Sequence, residues 1–395
     1  MGTSERIVIV SGARTPVGSF AGAFKDTDAH LLGAAAVSEA LRRAEVRADE
    51  VGEVVMGCVG QYGADAYNAR RVALAADLPD RVPALTVNRL CGSGLQAIWS
   101  GAQELLWGGV DVVVAGGDES MSRTPFLDYG SRGNARLGDR ALLDGTVALL
   151  TDPFSGRHMG VTAENVARRY GVSREDQDAF AVESQRRAST EAARAAFAEE
   201  IVAVTTAGRT PVEVSSDEHP RPGTTIEALA RLRPVFEQDG TVTAGNASGV
   251  NDGAAATVLM RESDARARGV AGLATIEAVT TAAMEPGLMG YAPTLALSRL
   301  FERTGLSPQD VDVVELNEAF AAQAVAVVRD SGLDPERTNP YGGAIALGHP
   351  VGATGAILAV RAALDLRRRD LEHAVVTLCI GGGQAIAALL RRWEG

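Results

Sequence analysis

Two stretches of this chain read as copies of one another. GSGLQAIWSGAQELLWGGVDVVVAGG, from Gly92, runs from a glycine turn through a helical pattern and a Val-rich strand to a second pair of glycines. VGATGAILAVRAALDLRRRDLEHAVVTLCIGGG, from Val351, does the same near the C-terminus. A second echo links RADEVGEVVMGC (47–58) to LSPQDVDVVELN (306–317): an acidic pair, Val-rich strand material, then a small or polar turn. Repeats roughly 260 residues apart point to a duplicated α/β domain. Val-rich runs alternating with amphipathic helices predict a mainly parallel sheet.

The material between the copies differs. Residues 119–250 hold many Arg, Asp, Gly and Pro residues, the stiff loop DEHPRPGTT, and a solvated helix in which Ser173 and Asp176 form an N-terminal cap. Insertions of this size form ligand-facing lids or loop domains. The predicted organisation is an N-terminal half over 1–118, with 251–270 as its boundary segment, an inserted loop domain over 119–250, and a C-terminal half over 271–395.

A net charge of −12 argues against a nucleic-acid partner. Three scattered cysteines, Cys58, Cys91 and Cys379, give no disulfide framework and fit a reducing cytosol. No metal-binding spacing, apolar membrane-spanning run or signal-peptide pattern is present, so the expectation is a cytoplasmic protein without a metal. Lys25 is the only lysine, which makes any individual arginine weak evidence of an anion site.

Four constellations could carry chemistry. In ALTVNRLCGSGLQAI, Cys91 stands between a predicted strand and a predicted helix, with Gly92, Ser93 and Gly94 as the turn. It is either a small filler at a crowded corner or a nucleophile whose thiolate the helix N-terminus stabilises; the glycines would then let a carbonyl approach the backbone. Gly92, Gly94 and Ala97 also match a loose dinucleotide fingerprint, a weak signal outside the first αβ unit. In GGAIALGHPVGATGA, His349 precedes Pro350, which restricts its backbone; the residue suits a general base near a thiol, or is a satisfied turn histidine. His30, His158, His219 and His373 occupy less constrained contexts. In VVTLCIGGGQAIA, Cys379 precedes three glycines able to form an anion-holding nest, or is a buried strand-end residue. In VVELNEAFAAQAV, Asn317 and Glu318 end a strand where open α/β sheets bind ligands, or serve as helix cap and first-turn acid. Their shared position, at strand-end junctions of related halves, argues against four independent fillers.

Over about Arg6 to Leu390 the sequence resembles the thiolase family, through NRLCGSGLQA, NEAFAAQA, GGAIALGHPVGATGA and LCIGGGQ, with HMGVTAENVA and TVTAGNASGVNDGAAA in the insertion. The overall pattern is most similar to bacterial acetyl-CoA acetyltransferases and short-chain 3-ketothiolases. The resemblance implies a five-layered αβαβα fold of two duplicated halves plus a loop domain that binds coenzyme A. It implies a homodimer or homotetramer, acyl-CoA substrates and no permanently bound cofactor. It implies that Cys91 is the acylated nucleophile, His349 its base and Cys379 the acid/base at the α-carbon. Asn317 would hold a water that, with His349, stabilises an enolate, and the N–H groups of Cys91 and Gly381 would form a second oxyanion hole. His158, Met159, Arg221 and Ser248 would line the coenzyme A channel, with Met289 and Phe320 near the acyl group.

The chemistry of these residue types agrees. Thioester exchange needs a nucleophile that also leaves well, carbon–carbon bond formation needs a base of its own, and an enolate needs preorganised donors. Two departures, Tyr341 and Ala292, bear on acyl-pocket shape, and Cys58 matches no catalytic motif. Alternatives are a longer-chain 3-ketoacyl-CoA thiolase, a ketoacyl-carrier-protein synthase, against which Cys379 argues, and a non-catalytic acyl-CoA- or lipid-binding relative.

Overall fold

The computed structural model describes residues 5–133 and 137–395. The N-terminal half contributes strands β1 (Ile7–Arg14), β2 (Glu53–Gly57), β3 (Ala84–Val87), β4 (Val112–Ser120) and β5 (Asn251–Arg261), with helices α1 (Ala29–Ala44), α2 (Asn68–Ala75) and α3 (Ser93–Trp107). After β4 the chain leaves the sheet for a long excursion containing α4 (Met159–Tyr170), α5 (Arg174–Ala188) and α6 (Glu191–Glu200). The C-terminal half supplies β6 (Ala274–Ala283), β7 (Val313–Leu316), β8 (His373–Ile380) and β9 (Gln384–Arg392), with α7 (Pro293–Thr304), α8 (Ala321–Asp330) and α9 (Thr354–Arg368).

These nine strands run in the order β7-β8-β9-β6-β1-β5-β4-β2-β3, and a two-residue strand at Gly18–Ser19 pairs with β5. The halves follow the same plan. β2 lies parallel to β3 and β4, and β7 lies parallel to β8 and to a bridge at Thr338. Two antiparallel strands complete each set: β5 and β1 in one half, β9 and β6 in the other.

The expected mainly parallel sheet is therefore corrected to a mixed one. Parallel neighbours occur only where a helix crosses over; β8 turns straight into β9 through Gly382 and Gly383, both at φ 81°. The sequence hides this because β1, β5, β8 and β9 are buried on both faces along nearly their whole length, and such strands are continuously apolar whatever their direction.

The β1–β6 pairing is only three residues long, dividing the strands into an N-terminal and a C-terminal sheet, and three apolar cores hold the five layers together. Val37, Leu41, Val72, Val54 and Val114 pack α1 and α2 on the outside of the N-terminal sheet. Ile98, Leu105, Ile357 and Val360 of α3 and α9 fill the space between the sheets, against Leu259, Val113, Leu378 and Ile386. Leu297, Leu300 and Val327 of α7 and α8 close the far side over Val375 and Leu389. The αβαβα expectation holds. Full burial of one such side chain contributes about 1.5–3 kcal/mol, so this shared central core binds the halves into one body.

The excursion is tied in by charge. The buried Arg14 guanidinium lies 2.6 Å from Glu200 and 2.7 Å from Asp217, and Arg361 lies 3.0 Å from Glu200. Phe197 sits beneath both guanidiniums, 5.2 and 5.1 Å from its ring centre. Burial pulls Glu200 upward, but Arg361 and Arg14 hold it below its ordinary value, so this carboxylate stays ionised. Ser173 caps α5 and forms a capping box with Asp176, as the sequence suggested.

Candidate active site

A cleft of about 600 Å³ opens between the excursion and the ends of β4 and β8. Cys91, His349, Gly381, His158, Met159, Arg221, Ser248, Met289 and Phe320 all line it; Asn317 and Cys379 lie fully buried behind that wall.

Cys91 occupies a tight turn after β3. Leu90 is left-handed at φ 48°, a conformation that costs a branched side chain about 1–2 kcal/mol. The turn is fixed by Gly92 N–H to Arg89 O (3.0 Å), Ser93 N–H to Leu90 O (2.9 Å) and the Ser93 hydroxyl to Leu90 O (2.7 Å). α3 starts at Ser93, so Ser93 and Gly94 belong to its first turn and not to the connecting loop.

The glycines have a different purpose from the one expected. A Cβ on Gly92 would stand 2.5 Å from Ile380 Cδ1, and one on Gly94 would stand 2.6 Å from Ala356 N. Both glycines admit protein rather than a substrate carbonyl, and neither lines the cleft. The dinucleotide reading is excluded.

The backbone N–H groups of Gly381 and Cys91 converge on the Cys91 sulfur. The expected thiolate is not the resting state, however. Burial pushes the Cys91 thiol up despite those two donors. Cys379 is pushed well up by burial, and Cys91 adds to the shift. The two thiols are neutral at rest.

His349 is held on every side. Its N–H donates to Asn251 Oδ1 at 2.9 Å, and its Nδ1 lies 2.6 Å from Thr354 Oγ1. The Thr354 hydroxyl gives its one proton to Pro350 O at 2.9 Å, so the network assigns the imidazole proton to Nδ1 and leaves Nε2 with its lone pair. Nε2 lies 3.4 Å from Asn317 Nδ2. Burial lowers this histidine to about 4, so it is a neutral base.

Asn317 is neither helix cap nor filler. α8 begins at Ala321 with Phe320 in the cap position, and Asn317 Oδ1 has no partner among the described residues. Such an orphaned buried acceptor fits a water-binding position. Glu318 turns the other way. It accepts from Ser184 Oγ (2.7 Å), Asn339 Nδ2 (2.8 Å) and Ile345 N–H (3.2 Å), pinning α5 and the chain ahead of His349.

The outer wall is aromatic and apolar. His158 caps α4, accepting from Gly160 N–H at 3.1 Å, and stacks on Phe236 at 4.7 Å; Phe236 meets Phe320 edge-on. Met159, Met289 and Phe320 pack around Cys379. Arg221 is exposed at the rim, and its guanidinium makes no ion pair among the described residues. His219, which the sequence ranked with the less constrained histidines, also lines the cleft, with Nδ1 3.5 Å from Asn251 Nδ2.

Tyr341 and Ala292 do not shape the cleft. Tyr341 packs with Phe197 and Leu347, and Ala292 is buried against Leu297 at the start of α7. Cys58 is buried and donates weakly to Glu119 at 3.9 Å, with no access to the cleft. Asn251 and Thr354, which orient His349, were not singled out from the sequence; a short polar residue in a glycine-rich run carries no mark of what it bonds.

Two thiols and a neutral imidazole from two copies of one α/β unit, gathered around one apolar cleft, define a cysteine-centred site of the five-layered duplicated class. The chain belongs to the thiolase family: the thiolase N-terminal domain matches residues 7–263 and the C-terminal domain residues 270–392. It is 50% identical to the beta-ketothiolase BktB of Cupriavidus necator over 98% of this chain and 100% of that one. It is 48% identical to an acetyl-CoA acetyltransferase of Rhizobium meliloti, covering 99% and 100%. Among solved structures it matches the Bacillus anthracis acetyl-CoA acetyltransferase (TM-score 0.96, 41% identity, 98% and 99% covered). It also matches human mitochondrial 3-ketoacyl-CoA thiolase in complex with CoA (TM-score 0.94, 40% identity, 99% and 98% covered).

Proposed function

We propose that this protein is an acetyl-CoA C-acetyltransferase that condenses two acetyl-CoA molecules to acetoacetyl-CoA and coenzyme A, and that runs the same reaction backwards as thiolysis. The observation that carries the reading is the convergence at Cys91: two backbone N–H groups on its sulfur, with His349 on the same cleft and Cys379 directly behind.

In the first stage His349 Nε2 takes the Cys91 proton. The sulfur attacks the thioester carbonyl and coenzyme A leaves as the thiol, taking that proton from His349. In the second stage Cys379 gives its own proton to His349 Nε2 and, as the thiolate, removes an α-proton from a second acetyl-CoA. The resulting enolate is held by the Nε2–H of protonated His349 and the Asn317-bound water, attacks acetyl-Cys91 and expels the Cys91 thiolate, which takes the proton back from His349, while the N–H groups of Cys91 and Gly381 receive the charge on the tetrahedral oxygen. His158, Met159, Arg221 and Ser248 line the channel for coenzyme A, within a loop domain over 119–250, and Met289 and Phe320 lie by the acyl group. Coenzyme A and its thioesters are substrates, and no cofactor is held permanently. The working form is a cytoplasmic homodimer or homotetramer.

Incubation with acetyl-CoA should release coenzyme A and add one acetyl group to the peptide containing Cys91, read by mass spectrometry. An adduct elsewhere, or none, removes the mechanism. Turnover of acetoacetyl-CoA against a long-chain 3-ketoacyl-CoA tests the short-chain assignment; a clear preference for the long chain selects the alternative, a longer-chain thiolase.

A further inference from the structure

Beneath the nucleophile turn lies a buried carboxylate with no part in the steps above. Glu119, at the end of β4, is 2% exposed. It accepts three backbone N–H groups from two separate loops: Val59 at 3.0 Å and Gly60 at 3.0 Å from the loop after β2, and Gly352 at 2.9 Å from the loop that carries His349. Val59 and Val351, each beside one of those donors in the chain, pack against Cys91 and line the cleft.

The duplication shows that a carboxylate is not needed there for packing. α3 and α9 both have 15 residues. Superposing their first residues, Ser93 and Thr354, makes the following strands begin together at Val112 and His373. Glu119 then falls opposite Ile380, and Cys91 opposite Gly352. Ile380 supports the Cys91 turn by apolar contact, its Cδ1 reaching within 2.5 Å of where a Cβ on Gly92 would stand. In the other copy the equivalent support for the His349 loop is a carboxylate. Keeping it there requires taking a charge-bearing group out of water, and burial raises Glu119 to about 7 in spite of its three donors. An isoleucine would avoid that cost. What it could not do is grip two separate loops by directional bonds to a single group.

We infer that Glu119 is a positioning residue for the acyl-transfer step, binding the loop after β2 to the His349 loop and setting both walls that face Cys91. The inference rests on the proposed acetyl transfer through Cys91. Glu119 touches no substrate and acts through Gly352 and Val351 on one side and Val59 on the other. Glu119→Gln keeps the shape but puts an amide donor where one set of N–H groups needs an acceptor.

The test measures acetylation of Cys91 in a single turnover, steady-state kcat and KM for acetyl-CoA, and melting temperature. Glu119→Gln should remain folded, lose about tenfold or more in both the acetylation rate and kcat, and keep KM within about twofold, since sub-ångström misplacement of reacting groups costs rate before binding. Gly352→Ala is the second variant. Its Cβ would come 2.6 Å from Glu119 Oε2 and 2.7 Å from Asp118 O, forcing the His349 loop away from Glu119 and the end of β4, and should give the same kcat loss at unchanged KM. A wild-type kcat in either folded variant, or a loss confined to KM, overturns the inference. So does failure of both variants to fold, which would make Glu119 a purely structural residue. An absence of acetyl-Cys91 in the wild-type protein would instead overturn the underlying function.

Discussion

Gly94 of α3 and Gly355 of α9 cross back to back at the centre of the molecule. A Cβ on Gly94 would meet Ala356 N at 2.6 Å, and one on Gly355 would meet Leu95 N at 2.4 Å. The two glycines are equivalent positions of the repeat, so the copies touch most closely where they are most alike. The helix holding the Cys91 turn is thus braced on the helix that begins just after His349.

Gly355→Ala should therefore destabilise the protein although alanine favours helix by about 1 kcal/mol. Overpacking costs about 1–3 kcal/mol, and here the obstacle is main chain, which cannot rotate aside. A net loss of about 1–2 kcal/mol in denaturant unfolding is expected. Equal or greater stability would mean the helices part at no cost.

Thr354→Val should weaken catalysis with little change in fold. The substitution conserves volume but removes the acceptor that holds the His349 Nδ1 proton. A general base contributes about 10²–10⁴-fold, and disturbing its tautomer should cost about tenfold or more of kcat with KM preserved. An unchanged kcat would show that Asn251 and packing alone orient the ring.

Cys379→Ala separates the two stages of the proposed reaction. The variant should still acquire an acetyl group on Cys91 from acetyl-CoA, because Cys379 has no role in that exchange. Condensation should fall by about 10² or more, the contribution of a placed base. Equal loss of both steps would contradict the division of labour between the two thiols.

His349 makes stability depend on pH in a defined direction. Its ordinary value is 6.5, and burial lowers it to about 4 in the folded protein. The unfolded chain therefore binds the proton first. The histidine's contribution is fully present above about pH 6.5 and is lost as pH falls towards 4, by about 3 kcal/mol in total at 1.36 kcal/mol per unit. Glu119 runs the other way, since its raised value favours the folded state as pH falls from about 7 to its ordinary 4.5. The two offset one another in the wild-type protein. The comparison that isolates His349 is the unfolding free energy of His349→Asn against wild type from pH 7 to 4. The wild type should lose ground to the variant on acidification, and a constant difference would refute the buried neutral imidazole.

Much of the site was readable because its residues sit where chain direction changes. Cys91, Asn317, His349 and Cys379 were recognisable from glycine-flanked or strand-end contexts, and the structure gathers all four. The purpose of Gly92 and Gly94 was not readable, because it depends on Ile380 and on α9, far away in sequence. The antiparallel strands were hidden for a related reason: two-sided burial erases the alternation that would mark them. Tyr341 and Ala292 looked like pocket residues only because they neighbour pocket motifs in the chain, and each turns into a different cluster. Thr354 and Asn251 act through single hydrogen bonds, which leave no trace in periodicity or composition.

β1 and β6 each open one half of the chain, and they pair antiparallel over Ile7–Ile9 and Ala274–Ile276. Like meets like across a local twofold, which is how identical subunits meet in an isologous dimer. Joined in one chain, the two halves need not share a sequence. One half carries a cysteine at its loop, while the other has a glycine there and a histidine nearby. Two like frames bearing unlike residues give one asymmetric site.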